Sequence, residues 1–182
     1  MTTYLGLLRG INVGGANKVP MKALRALVED LGHTNVRTYV QSGNVIFESP
    51  TSTPNKMVAE IEGAVSQSFA VKPSVVLRNR KQLEVVAAGN PFPTEGVKPS
   101  FLHVVFLSAP PSTKALQTLD HDRCPPDEFQ VIGSEIYLLL PNGAGRSKLS
   151  IDYFEKKLGT RATARNWNTV IKVLGLMEKK ES

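Results

Sequence analysis

Cysteine is almost missing from this chain: Cys124 stands alone in 182 residues, so no intrachain disulfide and no cysteine metal cluster can form, a usage that fits a reducing compartment. Histidine is scarce as well. His33, His103 and His121 lie far apart without zinc-ligand spacing, so no metal site is expected, and His33, just after Gly32 at an expected helix end, reads most simply as part of a cap. No apolar run approaches the ~18 residues that suggest a membrane span, and the opening MTTYLGLLRG lacks the long apolar region and cleavage site of a signal peptide. The expectation is a soluble, cytoplasmic protein with no membrane partner. No G-x-S-x-G nucleophile elbow occurs, and Cys124, followed by Pro125 and Pro126, reads as a loop residue rather than a nucleophile beside a base. The acidic pairs Glu29-Asp30 and Asp127-Glu128 fall at element ends, where solvation explains them. The residues name no reaction, no cofactor and no oligomeric state.

What the chain does hold is enough apolar material for a core. At 41% hydrophobic and 21% charged it fits one globular domain or two small halves and excludes disorder. Its net charge of +6 is uneven: residues 146–182 contain nine Lys/Arg against four Asp/Glu, which places five of the six excess charges at the C-terminal end. Such a field favours phosphates or nucleic acid, although a solvated helical face followed by a lysine-rich tail, Glu178–Ser182, has the same composition.

Periodicity sets the element order. Thr3–Leu8 reads as a strand buried on both faces, and Met21, Leu24, Leu27, Val28 and Leu31 space as a helix between Pro20 and Gly32. Val36–Val40 and Val45–Glu48 form a hairpin around Gln41-Ser42-Gly43-Asn44. After the Ser/Thr/Pro segment 49–54, a second helix carries Met57, Ile61, Ala64, Val65 and Phe69, and Pro73–Leu77 is a fourth strand. The result is β-α-β-β-α-β, the split βαβ pattern of ferredoxin-like folds. A short helix over 79–88 and a polar connector follow. The order then recurs: a strand at 101–107, a short helix at 113–119, a hairpin of 128–132 with 135–140, a helix at 151–158, a strand at 160–165 and a helix from Asn166 to Met177. The expected fold is α+β, two-layer, with two ferredoxin-like halves and mainly antiparallel sheets: 1–90, a connector at 91–99, and 100–182. No residue-level repeat between the halves is visible; the duplication rests on element order alone.

Three stretches attract functional interest. The first is Leu5–Lys18, LGLLRGINVGGANK, where an apolar strand gives way to a glycine- and asparagine-rich loop. In a right-handed βαβ unit this loop and the hairpin leaving the second strand share one sheet edge, which would gather Arg9, Asn12, Gly14, Gly15, Asn17, Lys18, Gln41, Ser42 and Asn44. Two cations, backbone N–H groups and the helix N-terminus at Met21 suit phosphate or carboxylate; the plainer reading makes the Asn and Gly residues loop formers. Named phosphate loops do not fit. Gly10 and Gly15 have the Walker spacing, but Ala16 and Asn17 stand where Lys and Ser/Thr belong, and Gly10, Gly14 and Gly15 break the dinucleotide pattern. The second stretch, PNGAGRSKLS at 141–150, offers Arg146, Ser147 and Lys148, with Ser150 as a helix cap and Asp152 in the first turn. The third, TARNWN at 163–168, offers Arg165, Asn166 and Asn168. There Trp167, Val170, Ile171 and Leu174 have core spacing, which makes Trp167 a packing anchor, and Asn166 is a candidate cap.

The segments LLRGINVGGANKVPMKALRALVEDLG, TYVQSGNVIF, NPF at 90–92, GRSKLS, EKKLG at 155–159 and TARNWNTV together resemble the DUF1697 family of uncharacterised bacterial proteins over nearly the whole chain. The resemblance implies a two-layer α+β protein with ferredoxin-like parts and brings no reaction or catalytic residues. The preferred reading is therefore physical: an anionic, phosphorylated or nucleotide-like small molecule held at Gly10–Lys18 and Gln41–Asn44. The alternatives are a nucleic-acid-binding module using the basic C-terminal surface, although no RNP-type aromatic motif occurs, and a protein-interaction or self-association module in which the polar motifs are structural.

Overall fold

A computed structural model describes residues 1–50 and 53–178; positions 179–182 of the lysine-rich tail and 51–52 of the Ser/Thr/Pro segment lie outside them. The element order is β1 (Thr2–Arg9), α1 (Met21–Asp30), β2 (Thr34–Tyr39), β3 (Asn44–Ser49), α2 (Pro54–Phe69), β4 (Ser74–Asn79) and α3 (Arg80–Ala88). The same seven-element series follows as β5 (Leu102–Leu107), α4 (Thr113–Leu116), β6 (Glu128–Ile132), β7 (Glu135–Leu139), α5 (Ile151–Leu158), β8 (Ala162–Asn166) and α6 (Trp167–Glu178). Two four-stranded sheets result, ordered β2-β3-β1-β4 and β6-β7-β5-β8, every neighbouring pair antiparallel. The fold is α+β with the split βαβ topology in each sheet. The chain forms two compact units, Met1–Glu84 with Val173–Ser182, and Val85–Lys172.

In the first unit α1 supplies Leu24 and Val28, and α2 supplies Met57, Ile61 and Val65, at the i, i+4 spacing of a helix face. They pack on Tyr4, Leu8, Val45, Phe47, Val75 and Leu77, which alternate along β1, β3 and β4 and so share one sheet face. Leu5, Leu7, Ile46 and Val76 on the other face are buried too, which accounts for the unbroken apolar run of β1. Each such side chain contributes roughly 1.5–3 kcal/mol relative to exposure. In the second unit, Tyr153, Phe154 and Leu158 of α5 pack on Val105, Leu107, Phe129, Ile136 and Leu138.

Two expectations are corrected. His33 caps nothing: it is 7% exposed, its ring centroid lies 4.6 Å from that of Phe47, and neither ring nitrogen has a hydrogen-bond partner. Gly32, at φ +87, turns the chain inward after α1, so the next side chain enters the core. Asp127 is likewise buried rather than solvated, with Oδ1 unpartnered, whereas neighbouring Glu128 is exposed.

Register exposes a residue-level repeat that sequence inspection missed. On β1, Leu5 faces Ile46 and Arg78; on β5, Val104 faces Tyr137 and Arg165. Arg78 and Arg165 thus hold the same place in each half, both buried, and each donates through Nη1 to the carbonyl of the residue before it, Leu77 at 2.8 Å and Ala164 at 2.7 Å. An asparagine follows each and bonds into the next helix: Asn79 Oδ1 accepts from Gln82 N at 2.9 Å, and Asn166 Oδ1 from Thr169 N at 2.8 Å.

Candidate functional site

β1 and β2 each run antiparallel to β3 and therefore parallel in direction to each other. The loop after β1 and the turn after β2 consequently leave the sheet at one edge. They are tied there by the backbone, since Leu8 N donates to Gly43 O at 2.9 Å.

The Gly10–Lys18 loop is a miniature hairpin. Asn12 N donates to Asn17 O and Ala16 N to Val13 O, both at 2.9 Å, around a two-residue turn. Gly14 and Gly15, with φ +56 and +81, supply the two positive values a type I′ turn demands. Asn12 and Asn17 flank it in the left-handed region, which asparagine tolerates. Their amides are committed to the loop. Asn12 Nδ2 donates to Val19 O at 2.9 Å and Gln41 O at 3.0 Å, while its Oδ1 accepts from Val19 N at 2.8 Å. Asn17 Nδ2 donates to Gly10 O at 2.9 Å. Asn12 is thus the clasp that joins loop to turn, and its contribution to a ligand would be indirect.

In the turn, Asn44 is fully buried and donates to Tyr39 O at 3.0 Å and Ser42 Oγ at 2.9 Å, another structural clasp. Val40 is the strained residue: a β-branched side chain at φ +49, and 52% exposed. A Val in that conformation is a genuine outlier, of the kind that gathers beside binding sites.

These pieces enclose an open cleft of about 420 Å³ lined by Asn12, Gly15, Lys18, Val19, Pro20 and Gln41. Arg9, half-buried at the end of β1 opposite Ser74, is not in the lining, nor are Gly14, Asn17, Ser42 and Asn44. Pro20 is the N-cap residue of α1. It provides no side-chain cap, and the first turn contains no acidic residue. The cleft therefore meets an uncapped helix N-terminus beside the exposed Lys18, and its lining has no carboxylate, histidine, serine or cysteine. That donor set can hold an anion.

The other nominated residues belong to the second unit. Ser147 Oγ accepts from Leu149 N at 3.0 Å, and Ser150 Oγ caps α5 by accepting from Tyr153 N at 3.2 Å, with Asp152 in the first turn. Lys148 is held through its backbone, its carbonyl accepting from Arg123 Nε at 3.0 Å, while the side chains of Arg146 and Lys148 are exposed. Asn168 is exposed and Trp167 is buried, the packing anchor its spacing implied. Arg165 is 9% exposed and donates to Thr163 Oγ1 at 2.9 Å; burial pulls its guanidinium down to about 10, so it remains charged at neutral pH. Arg78, its counterpart in β4, was overlooked; the readable signal was the Arg-Asn pair repeated before a helix at 78–79 and 165–166. Among the described residues no group of three or more His, Cys, Asp and Glu is placed to hold a metal, and no helix is long and apolar enough to cross a membrane.

Residues 1–137 match the model of a family described as "Protein of unknown function (DUF1697)". A solved structure, that of the conserved bacterial protein SP0830 from Streptococcus pneumoniae, is similar in fold with a TM-score of 0.74, covering 97% of this chain and 99% of that one at 23% sequence identity. No curated protein matches the chain.

Proposed function

The chain belongs to the DUF1697 family, and from that premise we propose that it binds an anionic small molecule, phosphorylated or nucleotide-like, in the cleft between the Gly10–Lys18 loop and the Gln41–Asn44 turn. One observation carries the reading: a cleft of about 420 Å³ combines Lys18 with the uncapped, acid-free N-terminus of α1. Three first-turn N–H groups and one ammonium favour negative charge there, and Gly15 lets backbone approach a ligand closely. Asn12 and Asn44 set the cleft's shape, and Lys18 and Gln41 are the side chains that meet the ligand.

The test is a thermal-shift panel of nucleotides, sugar phosphates, other phosphorylated metabolites and short oligonucleotides at low and moderate salt. The expected result is stabilisation by one small-molecule phosphate class that survives added salt and is weakened about tenfold or more by Lys18→Ala, which removes a charge-assisted contact. An unchanged affinity in Lys18→Ala removes the cleft from consideration. Shifts with oligonucleotides alone, lost as salt rises, replace this reading with nucleic-acid binding at the basic C-terminal region. Silence across the panel points instead to protein contact through exposed apolar residues such as Val13, 64% exposed, and Val40.

A further inference from the structure

Charge in the first unit is sorted, and the sorting picks out one end of its sheet. The segments 9–22, 39–44 and 66–74 hold Arg9, Lys18, Lys22 and Lys72 and not one Asp or Glu. They meet in space. Leu8 N donates to Gly43 O at 2.9 Å, Asn12 Nδ2 donates to Gln41 O at 3.0 Å, Arg9 faces Ser74 across β1 and β4, and a Cβ at Gly10 would lie 3.5 Å from Lys72 O. The acidic residues of positions 1–84, Glu29, Asp30, Glu48, Glu60, Glu62 and Glu84, all fall outside these segments. Glu62 reaches the same end, but it is half-buried and its Oε1 accepts from Val75 N at 2.8 Å.

Pairing separates the lysines of this end from other cations of the unit. Arg25, Lys56 and Arg80 each meet a glutamate one helical turn on, at 2.9, 3.7 and 2.9 Å. Lys18, Lys22 and Lys72 are exposed and form no ion pair among the described residues. Three unpaired ammonium groups on an acid-free edge set up a positive potential that attracts a negatively charged partner.

What the edge lacks narrows that partner. Its one arginine, Arg9, is half-buried, and so are its aromatics, Tyr39 and Phe69. Protein interfaces anchor on Trp, Tyr and Arg, single strands stack on exposed aromatics, and membrane-surface segments present Trp, Phe or Leu. None of those anchors is exposed here, where the large apolar side chains in solvent are two valines, Val13 and Val40. The exposed lysines, together with exposed Gln41, Ser42, Gln67 and Ser68, are instead the residue types that hold duplex phosphates. Reading a guanine edge calls for a free bidentate side chain such as arginine, which this edge does not present.

We propose that this edge binds the phosphodiester backbone of a nucleic-acid duplex without reading its sequence, Lys18, Lys22 and Lys72 each meeting a phosphate. The surface goes beyond the small-molecule cleft: the two share Lys18, but Lys22 and Lys72 lie outside the cleft lining.

The probe is a short, mixed-sequence DNA duplex carrying a fluorophore, titrated with the full chain and followed by anisotropy over a range of salt. The RNA duplex and the single strand of the same sequence are run beside it. Three phosphate contacts predict a slope of log K on log salt of about −2.7, a weakening of about fortyfold between ~50 and ~200 mM, equal for unrelated duplex sequences. Lys22→Gln and Lys72→Gln should each reduce the slope by about one, while Lys81→Gln, at an exposed lysine beyond the opposite end of β4, leaves it unchanged. Binding of either duplex in this pattern supports the proposal, and the tighter of the two names DNA or RNA as the source. Absence of duplex binding at low salt overturns it, as does binding of the single strand alone. A slope that Lys22→Gln and Lys72→Gln fail to move also overturns it and places the contact on the basic C-terminal region. So does poly-glutamate that competes as well as the duplex, charge for charge, because the partner is then an acidic protein segment. Small-molecule phosphate binding in the cleft should survive Lys22→Gln and Lys72→Gln, so the cleft reading, tested by Lys18→Ala, stands or falls separately.

Discussion

A Cβ at Gly43 would lie 2.9 Å from Leu8 Cβ and 3.0 Å from Leu8 O, on a backbone with φ +79. Both the conformation and the space exclude a side chain, because Leu8 N already bonds Gly43 O and holds the turn against β1. Gly43→Ala should therefore cost roughly 2–4 kcal/mol, read as a lower urea midpoint at unchanged m. Three residues earlier the reverse holds. Val40→Gly relieves a left-handed β-branched residue and should stabilise the fold by up to about 1 kcal/mol, the relief exceeding the added flexibility of glycine. His33 gives the pH dependence. Burial lowers its pKa below 6.5, outweighing Glu60, which raises it, so the unfolded chain binds the proton more readily than the folded one. Stability contributed here is complete above pH 6.5 and is lost as pH falls through the lower, folded-state value. Melting temperatures between pH 8 and pH 5 should decline, and His33→Leu should flatten part of that decline. None of these three was readable from residue identity, because each depends on what the fold sets beside it.

Elements were more legible than their joints. The helical spacing of Leu24 and Val28, and of Met57, Ile61 and Val65, placed α1 and α2 and named their buried faces, because a 3.6-residue period has one inward stripe. Ser150 was readable as a cap for the same local reason: a serine before an apolar helix with an acidic first turn. The asparagine that bonds into α3 was missed, although Asn79 and Gln82 exchange two bonds, Asn79 N to Gln82 Oε1 at 2.8 Å and Gln82 N to Asn79 Oδ1 at 2.9 Å. Alanine at Asn79 or at Asn166 should each cost about 1 kcal/mol, measured by chemical denaturation, and the two losses should add. Asn12→Ala is a harsher change, since it breaks three bonds joining the loop to Val19 and Gln41; a loss of about 1–3 kcal/mol is expected, with any phosphate-dependent stabilisation weakened as the cleft loses its clasp.

At the scale of the molecule, a ligand that binds only the folded state stabilises it by about 2.7 kcal/mol at 100 times its Kd, which for a chain of this size is a rise of roughly 5–10 °C in melting temperature. A phosphate ligand in the cleft should reach that size in the unaltered chain and fall well short of it in Lys18→Ala. The duplicated architecture has its own consequence, because one backbone plan is filled with two different sets of side chains. Where Tyr4, Phe47 and Leu77 close the first core, His103, Leu138 and Ala164 leave the second open. By itself, the sequence determined the order of strands and helices, their buried faces, the α+β class with two split βαβ halves, and the convergence of the Gly10–Lys18 loop with the Gln41–Asn44 turn. Those properties follow from short-range periodicity, from glycine and proline punctuation, and from the handedness of βαβ connections, all of which act within one or two elements. Tertiary structure alone decided that Asn12 and Asn17 spend their amides on the backbone and Asn44 on Tyr39 O and the Ser42 hydroxyl, that His33 and Asp127 are buried, that Arg78 pairs in role with Arg165, and that a cavity lies beside His103. Each of these is a relation between residues distant along the chain, fixed by strand register and by the volume left between packed faces, and neither quantity is carried by any local stretch.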